Sequence, residues 1–221
     1  MHVQGHPDVN LHVKTRVLLC LLASQLWAEV PLLGLLKSVE VRYNAAKTMQ
    51  TSFQQSLGGK GRITRTEQGE LFLLRPGKMR WDYTTPAGKI FLVDGKNVYY
   101  YNPATRKAER SPVKESGDLR VPLAFLMGRL DFQRDFREVR TRTEGEITHV
   151  IAAPKSDKAP YTEVQFEVNR QAQILSIGVT GHDQSLMTFR FNGEKLGAPI
   201  AASKFEFVKP AGAELVEVDP R

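Results

Sequence analysis

The sequence is poor in cysteine and histidine, with one cysteine and five histidines in 221 residues. Cys20 lies in an N-terminal segment that has the features of a removable leader, so the remaining chain is expected to lack a thiol. That excludes disulfides, thiolate metal sites and cysteine nucleophiles from residues 29–221. Beyond the leader only His149 and His182 remain, far apart in the sequence, so no histidine cluster for metal binding or catalysis is predicted.

Sequence motifs for catalysis are also missing. The chain contains no Gly-x-Ser-x-Gly, no His-Glu-x-x-His and no phosphate-binding Gly-Lys-Ser/Thr. The glycine-rich run 58–61 precedes no helical pattern and predicts a turn, and Glu67 and Glu70 are interpreted as solvated carboxylates. We therefore expect no catalytic residues, no metal and no cofactor. An enzyme acting on a lipid-like substrate would need a nucleophile or a metal cluster.

The composition, with 41% hydrophobic and 25% charged residues, is that of one ordinary globular domain. The net charge of +7 raises the question of a nucleic-acid partner, but the basic residues are scattered and often alternate with acids. Nucleic-acid binding proteins usually concentrate charge on one face or in a known motif. No nucleic-acid partner is expected; a solvated basic surface is the simplest interpretation, and an acidic partner or an anionic lipid head group is the alternative.

The N-terminus predicts export. Lys14 and Arg16 precede the apolar run 17–27, which is followed by the small residue Ala28. This is the pattern of a secretory signal peptide, and the run is too short to span a membrane. We expect residues 1–28, including a possible N-terminal extension, to be removed, and residues 29–221 to form a single domain. Lipidation of Cys20 is the alternative, although the bulky Leu19 directly before it is unfavourable.

After the leader, apolar residues recur every three or four positions from Leu32 to Ala46, which predicts an amphipathic helix over residues 31–47. The rest alternates between apolar and polar residues in short segments. Val164, Phe166 and Val168 form one such series, and Phe205 with Phe207 predicts a last strand. Roughly eleven such strands, each with one wet face, indicate a mainly β protein with an antiparallel curved sheet or barrel.

The segment from Gly69 to Pro103 has the clearest strand pattern. Leu71, Leu73 and Arg75 share one face, as do Met79 and Trp81 in the next strand. Residues 94–97, Asp-Gly-Lys-Asn, separate two further apolar runs and predict a hairpin turn.

Residues 121–127, Val-Pro-Leu-Ala-Phe-Leu-Met, break the strand pattern. Proline near the start and Gly128 after the end predict a short helix. Because it is apolar on nearly all sides, this helix must be covered, either as a permanent plug or as a lid over a cavity.

In their order and spacing, several short motifs resemble the periplasmic outer-membrane lipoprotein carrier protein (LolA) family over residues 43–212. The motifs are, in chain order, Gly69-x-Leu71, Arg75-Pro76, Trp81, Asp94-Gly95-Lys96, Tyr101-Asn102-Pro103, Pro122-Leu123-Ala124-Phe125-Leu126 and Phe205-x-Phe207.

The resemblance implies an unclosed antiparallel β-barrel, with an N-terminal helix and a short apolar lid helix over its concave face. It also implies a monomeric periplasmic chaperone that accepts acylated lipoproteins from an inner-membrane ABC transporter and passes them to an outer-membrane receptor. In the family, the arginine that aligns with Arg75 holds the empty form closed by bonding to the lid helices. The matching lid residues here are Leu123, Ala124, Phe125 and Leu126.

The apolar residues that share the face of Arg75 are the candidates for the wall of a lipid-binding cavity. They are Leu71, Leu73, Met79 and Trp81, together with Phe53. A closed hydrophobic core would use the same residues, and Arg75 could instead be an ordinary strand-end arginine that stacks on Trp81 or pairs with Glu70. The alternative function is a lipid-sensing or membrane-anchored receptor with the same half-barrel, which would need a lipidated Cys20 or a second domain.

Overall fold

The computed structural model describes residue 2 and residues 32–59, 62–113 and 130–218. The predicted signal peptide and the predicted lid helix lie outside these ranges. The described helices are α1 (Leu32–Ala45) and α2 (Phe132–Asp135). The strands are β1 (Thr48–Gly59), β2 (Arg62–Leu74), β3 (Lys78–Thr85), β4 (Ala87–Val93), β5 (Asn97–Asn102), β6 (Lys107–Pro112), β7 (Phe136–Glu144), β8 (Ile147–Pro154), β9 (Tyr161–Asn169), β10 (Ile174–Gly181), β11 (Ser185–Leu196) and β12 (Glu214–Glu217).

Helix α1 confirms the predicted N-terminal helix. Leu36, Val39 and Tyr43 are buried, at the spacing of three and four residues that places them on one face. In the described ranges, no helix combines the length and the apolar character needed to cross a membrane.

The strands form one curved sheet in the order β12-β6-β5-β4-β3-β2-β1-β11-β10-β9-β8-β7. The two end strands, β12 and β7, do not pair with each other, so the barrel is unclosed and the predicted fold class is confirmed. The sheet has twelve strands where the sequence predicts roughly eleven. It is antiparallel except for β12, which pairs parallel to β6.

The predicted strand at Phe205 and Phe207 is wrong. Phe205 ends a 3-10 helix, Ala202–Phe205, and Phe207 follows in irregular backbone with its ring stacked 4.7 Å from the ring of Tyr99. Phe205 is buried and the Phe207 ring packs on β5, so two apolar residues alternate here without the hydrogen bonds of a strand.

The inner face of the sheet carries the main core. Val164, Phe166 and Val168 of β9 are buried on this face, as the alternation predicts. Three rings, Phe132, Phe136 and Phe166, pack edge-on or tilted with centroids 5.4–5.9 Å apart. They close the part of the inner face next to α2.

Gly69 lies on the inner face of β2, at a position where the neighbouring strand leaves room only for glycine. A Cβ atom there would lie 2.1 Å from the carbonyl oxygen of Asp82 on β3, where the register of the two strands shifts. No side chain fits at that distance, so glycine allows β2 and β3 to approach closely beside Trp81.

Candidate functional site

The five predicted wall residues come together on the inner face of β1, β2 and β3. Leu71 lies opposite Trp81, and Leu73 lies opposite Met79, in the antiparallel register of β2 and β3. Phe53 of β1 faces the gap left by Gly69. All five side chains are buried, from 0% exposed for Leu71 to 4% for Phe53. They form one contiguous apolar surface.

Aromatic rings fill the middle of this surface. Trp81 packs between Phe53 and Phe189, with ring centroids 4.6 and 4.9 Å away, and Phe53 also contacts Tyr83 at 5.1 Å. Phe189 on β11 and Phe91 on β4, which lies opposite Trp81, belong to the surface but were not among the predicted wall residues. Both share the alternating pattern of their strands, and that parity could have identified them.

Arg75 lies at the end of β2, half-buried, where it bridges the sheet and the end of α1. Its backbone N–H donates to the carbonyl of Lys47 at 2.8 Å, and its guanidinium donates to the carbonyl of Ala46 at 3.3 Å. Burial lowers the pKa of Arg75, partly offset by the nearby Tyr43 hydroxyl. Its predicted partners, residues 123–126, lie outside the described ranges.

A buried polar cluster fixes α1 to the sheet. The hydroxyl of Tyr43 donates to Glu194 of β11 at 2.5 Å and accepts from the backbone N–H of Ile174 at 2.9 Å. Arg42 also pairs with Glu194, at 2.5 Å. Burial, reinforced by the Glu194 carboxylate, raises the pKa of Tyr43 above that of an ordinary tyrosine. This network joins residues about 150 positions apart.

Helix α1 also contacts the segment that follows the predicted lid residues, at Leu130 and Phe132. Asn44 exchanges two hydrogen bonds with the backbone of Leu130, each 2.8 Å long. Glu40 accepts from the backbone N–H of Phe132 at 2.9 Å. Helix α1 thus connects the strand-end arginine, the sheet and the segment that enters α2.

An ion pair is buried at the opposite end of the inner face from Arg75. Lys89 of β4 donates to Glu67 of β2 at 2.5 Å, and the two residues are 4% and 3% exposed. The ammonium lies over the ring of Tyr83, 4.3 Å from its centroid, and the Tyr83 hydroxyl donates to Gln55 at 2.7 Å. The interpretation of Glu67 as solvated is therefore wrong. Its carboxylate pairs with Arg65 on the same strand at 3.2 Å, and its buried partner Lys89 comes from a strand two positions away in the sheet.

The two histidines beyond the predicted leader, His149 and His182, lie apart on the outside. His149 of β8 stands opposite Glu167 of β9 and Arg142 of β7, beside an outer groove of about 480 Å³. His182 contacts the carbonyl of Ala159 at 2.9 Å. Within the described ranges no three His, Cys, Asp or Glu side chains come together as metal ligands. The pairing of His149 with Glu167 was not predicted, because only the strand register reveals it.

Comparison with known proteins decides the family. The family described as outer membrane lipoprotein carrier protein LolA matches residues 44–208. The chain belongs to the LolA family.

Relatives of known name are similar in sequence to this chain over most of their own length. The outer-membrane lipoprotein carrier protein of Chromobacterium violaceum is 26% identical over 80% of this chain and 84% of its own. The protein of that name from Klebsiella pneumoniae is 24% identical over 92% and 95%. Among solved structures, an uncharacterized conserved protein from Thermus thermophilus covers 83% of this chain and 97% of its own, at 12% identity and a TM-score of 0.53. That likeness concerns the fold alone.

Proposed function

We propose that this LolA-family protein carries acylated lipoproteins through the periplasm, with their acyl chains against the inner face of the sheet. The observation that carries the proposal is the family match over residues 44–208, which includes the apolar inner face. The protein accepts its cargo from an inner-membrane ABC transporter and delivers it to an outer-membrane receptor, as a monomer and without a cofactor. Residues 1–28 act as the signal peptide, and residues 29–221 are the carrier domain.

The physical need for such a carrier follows from the cost of exposing acyl chains. Each methylene group moved from water into an apolar environment gains about 0.8 kcal/mol. One chain alone gives only reversible membrane attachment, whereas several chains make release into water negligible. A protein surface must therefore replace the bilayer during transfer.

The proposed wall consists of Phe53, Leu71, Leu73, Met79 and Trp81. These side chains lie side by side on one face and present hydrocarbon and aromatic surface without a charge among them. In this proposal the acyl chains displace the proposed lid and pack against these five side chains.

Arg75 is the proposed latch of the empty form. Its guanidinium reaches from the sheet to the carbonyl that follows α1, so it already joins two elements that must separate for a ligand to enter. Guanidinium has five donors in a fixed arrangement, which lets it hold several carbonyl oxygens at once. Leu123, Ala124, Phe125 and Leu126 complete the proposed lid.

The transfer reaction tests the function directly. Inner-membrane vesicles that contain a radiolabelled lipoprotein and its ABC transporter are incubated with ATP and the purified protein. We expect labelled lipoprotein in the soluble fraction, in a one-to-one complex with this protein. Vesicles without the protein should release none, and equal release with an unrelated periplasmic protein would contradict the proposal.

A crosslinking experiment tests the wall. Phe53 and Gln54 are adjacent in β1 but point to opposite faces, Phe53 buried and Gln54 exposed. Each is replaced in turn by p-benzoylphenylalanine and irradiated with bound lipoprotein. We expect crosslinked lipoprotein from position 53 and little from position 54. Equal yields would show that the inner face is not the binding surface.

A further inference from the structure

Trp81 carries a hydrogen-bond donor with no partner among the described residues. Its side chain is 0% exposed, and its indole Nε1–H makes no hydrogen bond there. An indole has this one donor and no acceptor, so the whole hydrogen-bonding capacity of the side chain is unused. Buried polar groups nearly always have partners, and an exception calls for a physical explanation.

The position of Trp81 on the inner face is distinctive. On one side lie Leu73 and Met79, which continue the apolar surface toward Arg75. On the other side, two residues along β3 and about 7 Å away, Tyr83 begins the buried polar end that includes Lys89. Trp81 therefore stands where the apolar part of the face meets its polar part.

The polar groups beyond Trp81 are already engaged with one another. The Tyr83 hydroxyl donates to Gln55 at 2.7 Å, and the Lys89 ammonium donates to Glu67 at 2.5 Å. A ligand gains little by competing for these groups, because each exchange breaks a bond that is already made. The Trp81 N–H offers a bond at no such cost.

We infer that the Trp81 Nε1–H donates to an acyl carbonyl of the cargo. This inference rests on the proposed carrier function. The carbonyl of an acyl group lies at the polar end of its hydrocarbon chain. The inner face has the same arrangement, with an apolar part on one side of Trp81 and a polar part on the other. The chain would run toward Leu73 and Met79, and the carbonyl-bearing end would face Tyr83. The site thereby recognises acyl chains, which have this acceptor, in preference to alkyl chains, which do not.

Two synthetic lipopeptides test the inference. Both have an N-terminal cysteine with a free amine and two C16 chains on an S-glyceryl group; in one the chains are ester-linked, and in the other they are ether-linked without carbonyls. We expect the purified protein to bind the ester form about tenfold more tightly, the effect of one satisfied buried donor. Trp81→Phe should reduce that ratio to near one by weakening only the ester form.

Two further variants separate hydrogen bonding from shape. Replacement of Trp81 by β-(3-benzothienyl)alanine keeps the bicyclic ring and removes the N–H, so it should also abolish the preference. Phe53→Leu, which alters the neighbouring ring without touching a donor, should weaken both lipopeptides equally and keep the ratio.

Nuclear magnetic resonance gives a readout that does not depend on affinity. The two tryptophans of the sequence are Trp27, in the proposed signal peptide, and Trp81, so the indole signal of residues 29–221 belongs to Trp81 and disappears in Trp81→Phe. We expect that proton to move downfield when the ester lipopeptide binds and to move little with the ether form. If the protein binds both lipopeptides equally, or if Trp81→Phe keeps the ratio, the carbonyl assignment is wrong while the carrier function stands. If it binds neither, the proposed function itself fails.

Discussion

Two cations on the inner side of the sheet are held in different ways. Lys89 pairs with Glu67 inside a single sheet, and both side chains are almost fully buried. Arg75, which directly follows the last residue of β2, is half-buried and donates to a backbone carbonyl that follows α1. The first contact joins two strands of the same sheet, and the second joins the sheet to the segment that follows α1.

The difference determines what each contact can do. A buried ion pair is costly to break, because the remaining charge stays out of water after its counter-charge is lost. The carbonyl contact of Arg75 leaves no opposite charge behind when it breaks, and water can reach a half-buried guanidinium. Lys89 and Glu67 are therefore suited to fix the sheet, and Arg75 is suited to a contact that opens and closes.

Breaking the buried pair should have the largest effect on stability. Glu67→Gln removes the carboxylate that pairs with the buried Lys89 ammonium, and we expect the free energy of unfolding to fall by about 3–5 kcal/mol. Urea unfolding followed by circular dichroism measures the change. The double variant Glu67→Leu with Lys89→Met removes both charges and should recover most of the loss. A loss below about 1 kcal/mol in the single variant would show that the charge is reached by water.

Removing the Tyr43 hydroxyl should have the next largest effect. Tyr43→Phe eliminates one bond to Glu194 and one to the N–H of Ile174, and it leaves a buried carboxylate with Arg42 as its partner. We expect a loss of about 1–3 kcal/mol in the free energy of unfolding. Tyr161→Phe, which removes the hydroxyl of a tyrosine that is only partly buried, is the matched control and should cost less.

The contribution of the Tyr43 hydroxyl to the free energy of unfolding should decrease at alkaline pH. The pKa of Tyr43 is raised in the folded protein, so its stabilising contribution is complete below the unfolded value of about 10 and is lost as the pH rises toward the folded value. The stability difference between the wild-type protein and Tyr43→Phe should therefore shrink above about pH 10. Urea titrations at pH 8, 10 and 11 test this, and a constant difference would contradict the raised pKa.

The Arg75 contact should contribute least to global stability. Because burial of the guanidinium offsets its hydrogen bond, Arg75→Met should change the free energy of unfolding by less than about 1 kcal/mol. Amide exchange at the end of α1, residues 43–46, should nevertheless accelerate, because the helix end loses its tie to β2. Arg80→Met removes an arginine that bonds Asp82 and the carbonyl of Lys204 instead, and it should leave exchange in α1 unchanged.

The sequence predicts the features that depend on local periodicity. Leu71, Leu73, Met79 and Trp81 were predicted to share a face because burial alternates along a strand, and the register of β2 and β3 places them together. Helix α1 was found from its three-and-four spacing.

The features that depend on distant partners were missed. Glu67 lies in a polar stretch of β2 and is predicted to be solvated, because nothing near it in sequence shows that Lys89 arrives across β3. The contact of Tyr43 with Glu194 spans 151 positions and has no sequence pattern at all. Phe205 and Phe207 gave a strand pattern although neither lies in a strand, because the two rings alternate across the end of a 3-10 helix and the irregular backbone after it.

Helix α1 has a consequence for the order in which the chain folds. It belongs to the first part of the domain to be synthesised, yet Glu194, which anchors it, belongs to one of the last strands. Contacts between residues so far apart form late, because a long loop must close before they contribute. The polar contacts that join α1 to Glu194 are therefore absent until β11 is in place. During that interval the incomplete chain exposes apolar surface, and we expect it to depend on a molecular chaperone or on export in an unfolded state.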